Sequence, residues 1–359
     1  MFLTVFLAFI SLIILISIHE LGHFLTAKKF GVEVEEFGFG YPPRLFGRKF
    51  GNTLYSINLL PFGAFVRISE KDRNDPNSFL AKPLWQRMLI IFNGAFSFWI
   101  VAIILFSIVF AIGAPTMIED SEMNIPDTKV LITSISANSP AASADLRAGD
   151  VIVSLVSETA ELNGDQVGQI QDFIIANQGK EIILIIKRGD RIFNTTAIPR
   201  ISPPAGEGSL GIGLARVGLK TQPVYLSVFE GFKATLNMTR VVITAYIDAI
   251  VNIFKKTPTG LQLSGPIGIV GLLSQGMRMG TSYFLQMIGL LSINVAIINL
   301  LPIPAFDGGK LMFLTIEAIR KKPIPQKIEE KVTTVFFVLL IIMMVFVTIK
   351  DIKNFRGFF

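Results

Sequence analysis

Residues 88–112 contain no charged side chain. A helix of that length is ~37 Å long, more than enough to cross the ~30 Å hydrocarbon core of a bilayer. Backbone N–H and C=O groups find no partner in hydrocarbon, so such a run has to be helical. The pattern recurs at roughly 3–26, at 283 to about 301 and at 332–349. No Lys or Arg precedes Lys28, so the first run lacks the basic start of a cleaved signal peptide and reads as a retained span. Composition agrees, with 51% hydrophobic and 17% charged residues, too apolar for an ordinary soluble enzyme. The expected fold is a polytopic α-helical membrane protein with about four transmembrane helices.

Charge sets the orientation. Ten Lys and Arg residues lie between spans one and two, from Lys28 to Arg87, and six between spans three and four, from Lys310 to Lys331. The positive-inside rule places both loops in the cytoplasm, and hence both termini and the long stretch 113–282 outside. The chain has no cysteine, which excludes disulfides and thiolate zinc sites. Its net charge is +6, but no basic patch with an aromatic platform accompanies it, and a nucleic-acid partner is not expected.

The chain divides into spans one and two (1–112), a polar linker (113–126), a small β-rich domain (127–202), a segment at 203–282, and spans three and four (283–359). Ser139-Pro140 opens a short Ala-rich helix in the small domain, Gly149-Asp150 makes a turn, and Arg188-Gly189-Asp190 joins two strands. Residues 224–256 have helical periodicity but carry Glu230, Lys233, Arg240 and Asp248. They read as an amphipathic helix at the membrane interface. "LSGPIGIVGLL" (263–273) is too short to span and reads as a dipping loop or a connector.

The only two histidines are His19 and His23, in "ISIHELGHFL" within the first span. Four residues apart on a helix, they share a face and can bind one zinc ion. Glu20 lies on the adjacent face, within reach of a metal-activated water, where it can take a proton and pass it to a leaving amine. Random placement of two histidines gives this spacing roughly once in 180 chains, before the glutamate is required. Intramembrane ionisable groups are costly unless they have a task. Gly22 between the histidines points to a close neighbour or to a substrate needing room there. A catalytic zinc needs three protein ligands. With no third histidine the third must be a carboxylate, and Asp307 in "NLLPIPAFDGG" (299–309) is the best placed. Pro302 and Pro304 break the helix there, at the same leaflet as the histidines.

Together "HELGH", "NLLPIPAFDGG" and "SPAASADLRAGDVI" resemble the site-2 proteases, intramembrane zinc metalloproteases of the bacterial sigma-factor-regulating M50 class. The resemblance covers nearly the whole chain. It implies His19, His23 and Asp307 as zinc ligands, Glu20 as the catalytic glutamate, and Asn299 as a residue near the active site that helps hold substrate. "YSINLLPFGAFVRI" (55–68) is similar to the family's membrane re-entrant β-loop, in which Asn58, Pro61, Gly63 and Phe65 would present an edge to an unwound substrate. The small domain resembles a single PDZ domain that binds or filters substrate peptides outside the membrane. "FNGAFSF" departs from the family pattern, with Ala95 where proline is usual, and "PFGAF" replaces a "PLGGY"-like loop.

The resemblance implies cleavage of single-span membrane proteins in the bacterial inner membrane, such as an anti-sigma factor already trimmed outside or a remnant signal peptide. Two other readings compete. A catalytically silent PDZ-bearing scaffold would have no need of the complete His19, Glu20, His23 and Asp307 set. A transporter would leave that set unexplained, and no internal repeat is evident.

Overall fold

The computed structural model describes residues 2–70, 73–122, 128–189, 191–204, 206–257 and 264–353. Residue 127, Asp190 of the expected turn and Leu263 lie outside the described residues. The chain separates into two compact units. One comprises Met1–Ile108, Tyr225–Met277 and Phe284–Phe359, and the other Val109–Val224 with Arg278–Tyr283.

In chain order the elements begin with helix α1 (Phe2–Lys29), strands β1 (Val34–Phe50) and β2 (Thr53–Ile68), a short turn of helix at Phe79–Ala81, and α2 (Leu84–Ile112). Then follow β3 (Ala114–Met117), β4 (Lys129–Ile135), α3 (Pro140–Ser143), β5 (Val151–Val156), β6 (Glu161–Asn163), α4 (Val167–Ala176), β7 (Ile182–Arg188), β8 (Arg191–Ala197) and β9 (Ile212–Lys220). The chain continues through α5 (Val224–Lys255), α6 (Pro266–Met279), α7 (Thr281–Leu300), α8 (Asp307–Arg320) and α9 (Gln326–Lys353). Among the described residues α1, α2, α5, α7 and α9 are long and apolar enough to cross a membrane.

The helices of the first unit pack through two apolar clusters. Ala8, Leu15, Phe98, Leu273, Ile288 and Ala296 join α1, α2, α6 and α7. Ala27, Val34, Ile90 and Leu314 join the ends of α1, β1, α2 and α8. Contacts give the helix directions. A Cβ on Gly231 of α5 would meet Ser107 of α2, and the Trp99 indole N–H donates to Thr239 Oγ1 at 2.9 Å. These contacts lie eight positions apart on each helix and in opposite sense, so α5 runs antiparallel beside α2. It therefore lies lengthwise against α2 and not across it. Gly289 of α7 abuts Phe106, and the Ser292 hydroxyl donates to the Phe98 carbonyl at 2.8 Å, so α7 also runs antiparallel to α2. Helices α5 and α7 thus point the same way.

Ahead of α7 in the chain stands a helix where a loop or connector was expected. Pro266 occupies the first position of α6, where its missing N–H costs nothing. The buried Asp351 carboxylate, from the far end of α9, accepts the Gly268 N–H at 2.8 Å and satisfies an orphan donor of that helix end. Sequence periodicity carries no trace of a cap supplied from so far along the chain. At ~21 Å, α6 is too short to span.

The β1–β2 ribbon folds over on itself. Phe37 pairs with both Tyr55 and Val66, Gly38 with both Ser56 and Phe65, and Phe39 with both Ile57 and Ala64, while Arg48 pairs with Tyr55. The strand order is therefore 44–50, 53–58, 34–39, 64–68. The run 64–68 has one edge on β1 and the other directed at α1.

The second unit is an antiparallel sheet in the order β3-β9-β4-β5-β7-β8, with β6 on β5. Its core gathers Val130, Ile152, Leu155, Ile170, Leu184 and Ile186. Ser139 caps α3, accepting the Ala142 N–H at 3.1 Å. Asp150 is buried and accepts from Arg188 Nε at 2.7 Å and Nη2 at 2.8 Å, tying the turn after α3 to the β7–β8 hairpin. The unit extends beyond 127–202, because β9 pairs with β4 from Lys129–Val217 to Ile135–Ile212. Glycines and charges in "IGLARVGLK" blur the alternation that marks a strand.

Candidate metal centre

His19 and His23 stand one turn apart on α1, as their spacing requires. Asp307 arrives from elsewhere. After α7 ends at Leu300, Pro302 and Pro304 prevent helix from continuing, and α8 begins afresh at Asp307. A Cβ on Gly308 would stand 2.1 Å from the Leu301 carbonyl oxygen. Only glycine allows α8 to start so close to the end of α7, and this fold-back sets Asp307 against α1.

The three candidate ligand atoms converge. His19 Nε2 lies 3.3 Å from Asp307 Oδ2, His23 Nε2 lies 3.2 Å from it, and the two Nε2 atoms are 3.3 Å apart. Zinc–nitrogen and zinc–oxygen distances near 2.0–2.1 Å in tetrahedral coordination imply ligand separations of ~3.3 Å. The triangle therefore has the dimensions of one face of a zinc tetrahedron. Among the described residues these are the only His and carboxylate groups that cluster this way. Asp307 Oδ2 is buried and makes no hydrogen bond, a rare condition for a polar atom unless a ligand completes it.

Neighbouring groups hold these side chains. His23 Nδ1 is 2.9 Å from the Ile90 carbonyl, which can only accept, so Nδ1 carries the proton and Nε2 offers its lone pair. The His19 ring stacks on Phe98 with centroids 5.0 Å apart. Gly94 of α2 makes the room, since a Cβ there would lie 2.2 Å from His23 Nε2. Gly22 has a close neighbour, with the Asn93 carbonyl 2.6 Å from where its Cβ would be.

Glu20 shares a cavity of about 310 Å³ with the three ligands, and Val66, Arg67 and Ile68 line one wall. The Val66 N–H donates to Glu20 Oε2 at 3.0 Å. This N–H belongs to the free edge of the 64–68 run, so the edge reaches the cavity. Asp307, Glu20 and both histidines thus come together around one cavity.

The other expected residues are positioned differently. Asn58 is buried and donates to the Phe39 and Gly40 carbonyls at 3.3 and 3.2 Å, stitching the ribbon together. Pro61 is exposed on the ribbon, and Gly63 faces Ile16 of α1. Phe65 stacks on Tyr41. Asn299 sits half-buried in the last turn of α7, and the described lining of the cavity does not include it. The ribbon edge at the cavity is thus 64–68, displaced from the expected 58–65, because the ribbon doubles back. Gly94, Ile90 and Val66 escaped the sequence reading. A glycine in an otherwise bulky apolar helix was the available signal for the first.

The sequence model described as peptidase family M50 matches residues 7–343. A putative zinc metalloprotease of Clostridium perfringens is 35% identical over 348 residues, 94% of this chain and 95% of its own length. One from a Nostoc species is 32% identical over 358 residues, 97% and 96% of the two chains. The regulator of sigma-W protease RasP of Bacillus subtilis is 26% identical over 438 aligned positions, covering 99% of each.

Proposed function

Because the chain belongs to peptidase family M50, we propose that it is a zinc metalloprotease that cleaves single-span membrane proteins within or near their transmembrane segments. The observation that carries this reading is the convergence of His19 Nε2, His23 Nε2 and Asp307 Oδ2 at 3.2–3.3 Å, with both histidines on a helix that can span the membrane. These three residues would hold the zinc. When bound, the ion supplies a Lewis acid that eases deprotonation of water and polarises a carbonyl. Glu20 takes the proton from water and delivers it to the amide nitrogen as the C–N bond breaks. The Val66 N–H holds one carboxylate oxygen of Glu20 in place, leaving the other to face the reacting atoms.

A helical substrate hides its peptide bonds in its own hydrogen bonds. An unwound segment needs other backbone partners in an apolar medium, and the free edge at 64–68 offers them beside Glu20. Addition of a substrate strand to that edge presents its carbonyls to the centre.

The direction of α7, antiparallel to α2, supports the expected orientation, in which α1, α2, α7 and α9 leave both termini on the outer side. The basic loops then face the cytoplasm, in the bacterial inner membrane, with the metal centre toward the cytoplasmic leaflet. We assign the second unit as a PDZ-like domain outside, where it binds or filters substrate peptides. The silent-scaffold reading has no use for the complete metal set and its second sphere of contacts.

Metal analysis of the purified chain tests the centre. One zinc per chain is expected, and Asp307→Ala should lose it while remaining folded. A well-folded wild-type sample that holds no zinc and gains none on supplementation would refute the assignment.

A further inference from the structure

The cavity around Glu20 has a larger neighbour. A second cavity of about 540 Å³ lies between α8 and the first turns of α9, and Glu70, Phe79 and Lys310 line both. These three side chains form the partition. Lys310 stands one helical turn beyond Asp307, on the same face of α8. Its ammonium donates to Glu70 Oε1 at 3.1 Å.

The partition is weak where its surroundings are strong. Lys310 and Glu70 are 47% and 38% exposed, and an ion pair so wetted opens readily. Deeper in the second cavity Arg87 grips Glu317 through two bonds of 3.0 and 3.1 Å, with the pair only 8% and 18% exposed. One pair is a fixed wall and the other can move.

Peptide hydrolysis adds the hydroxyl of water to the carbonyl carbon and its proton to the amine, so a neutral amide becomes a carboxylate and an ammonium. The new carboxylate appears in a cavity that already holds the Glu20 carboxylate, which repels it. Among the described residues lining that cavity the cations, other than histidine, are Arg67 and Lys310. Arg67 is directed to Glu36 at 3.7 Å, whereas Lys310 faces both cavities.

We propose that Lys310 exchanges Glu70 for the new terminal carboxylate of the cleaved chain, and that the Glu70–Lys310 pair is the door through which this product leaves into the second cavity. The proposal rests on the metalloprotease reading. Its test uses the full chain in vesicles of phosphatidylethanolamine and phosphatidylglycerol, cleaving a model single-span protein. The probes are two copies of the N-terminal product peptide, one ending in carboxylate and one in carboxamide, used as competing inhibitors.

The wild type should prefer the carboxylate about tenfold, the range of a charge-assisted hydrogen bond. Lys310→Gln should lose most of that preference, and Lys310→Arg should restore it. In Lys310→Gln the multiple-turnover rate should fall more than the single-turnover rate, with zinc content unchanged. An undiminished preference in Lys310→Gln, or equal loss of both rates, overturns the proposal. A wild type that cleaves nothing and holds no zinc defeats the metalloprotease reading itself, and the door with it. Cleavage with undiminished preference in Lys310→Gln defeats the door alone.

Discussion

Replacing Gly94 with alanine should dismantle the metal centre without touching a ligand. The added Cβ would stand 2.2 Å from both Cε1 and Nε2 of His23, where ordinary contact begins at 3.4 Å. The ring would have to retreat by about 1.2 Å, while metal–ligand distances tolerate only about 0.2 Å. Retreat is resisted, because Nδ1 is anchored to the Ile90 carbonyl at 2.9 Å. Either that bond breaks or α1 and α2 move apart. Disturbing a single outer partner of a zinc ligand costs about 10–100-fold in affinity, and displacing the ligand itself should reach the upper end or beyond. Gly94→Ala should therefore bind zinc at least about 100-fold more weakly. Overpacking should also destabilise the metal-free chain by about 1–3 kcal/mol. Competition against a calibrated chelator, with metal content by mass spectrometry, measures the first. Thermal unfolding in detergent measures the second. Wild-type zinc affinity in Gly94→Ala would refute the placement of His23 as a ligand packed against α2.

Three further outcomes follow from the same geometry. Arg87→Ala leaves Glu317 with only the half-exposed Arg73, at 3.6 Å, as its partner, so thermal unfolding should report a loss of about 1–3 kcal/mol, and an unchanged melting temperature would show that the pair is not closed off from water. Gly308→Ala forces a Cβ to 2.1 Å from the Leu301 carbonyl oxygen. It should displace Asp307 and reduce zinc content in the purified protein well below one per chain, and full occupancy would contradict the fold-back. Val66→Pro removes the N–H that holds Glu20. Cleavage should slow by about tenfold or more with zinc retained, and a rate equal to wild type would deny that contact a positioning role.

The parts of the centre written in local spacing were legible in the sequence. Helix period alone puts His19 and His23 on one face and Glu20 beside them, and the lack of another histidine directs attention to Asp307. What stayed hidden depends on surfaces distant in the chain. Gly94 matters only because α2 lies against α1, and Val66 reaches Glu20 only because the β1–β2 ribbon doubles back. The α6 cap on Asp351 joins residues more than eighty positions apart. The four charges of α5 were legible, but not that it lies along α2, since Gly231 and Thr239 reveal their packing role only once their neighbours are known.

The central claim is that Glu20 and the three ligand side chains hydrolyse a peptide bond inside the membrane. The direct measurement is cleavage of a single-span substrate by the purified chain in vesicles, with the cut mapped by mass spectrometry. The account predicts a cut within or beside the transmembrane segment, lost on zinc chelation, restored by added zinc, and reduced at least about 10²-fold in Glu20→Gln. Cleavage by Glu20→Gln at the wild-type rate would contradict it.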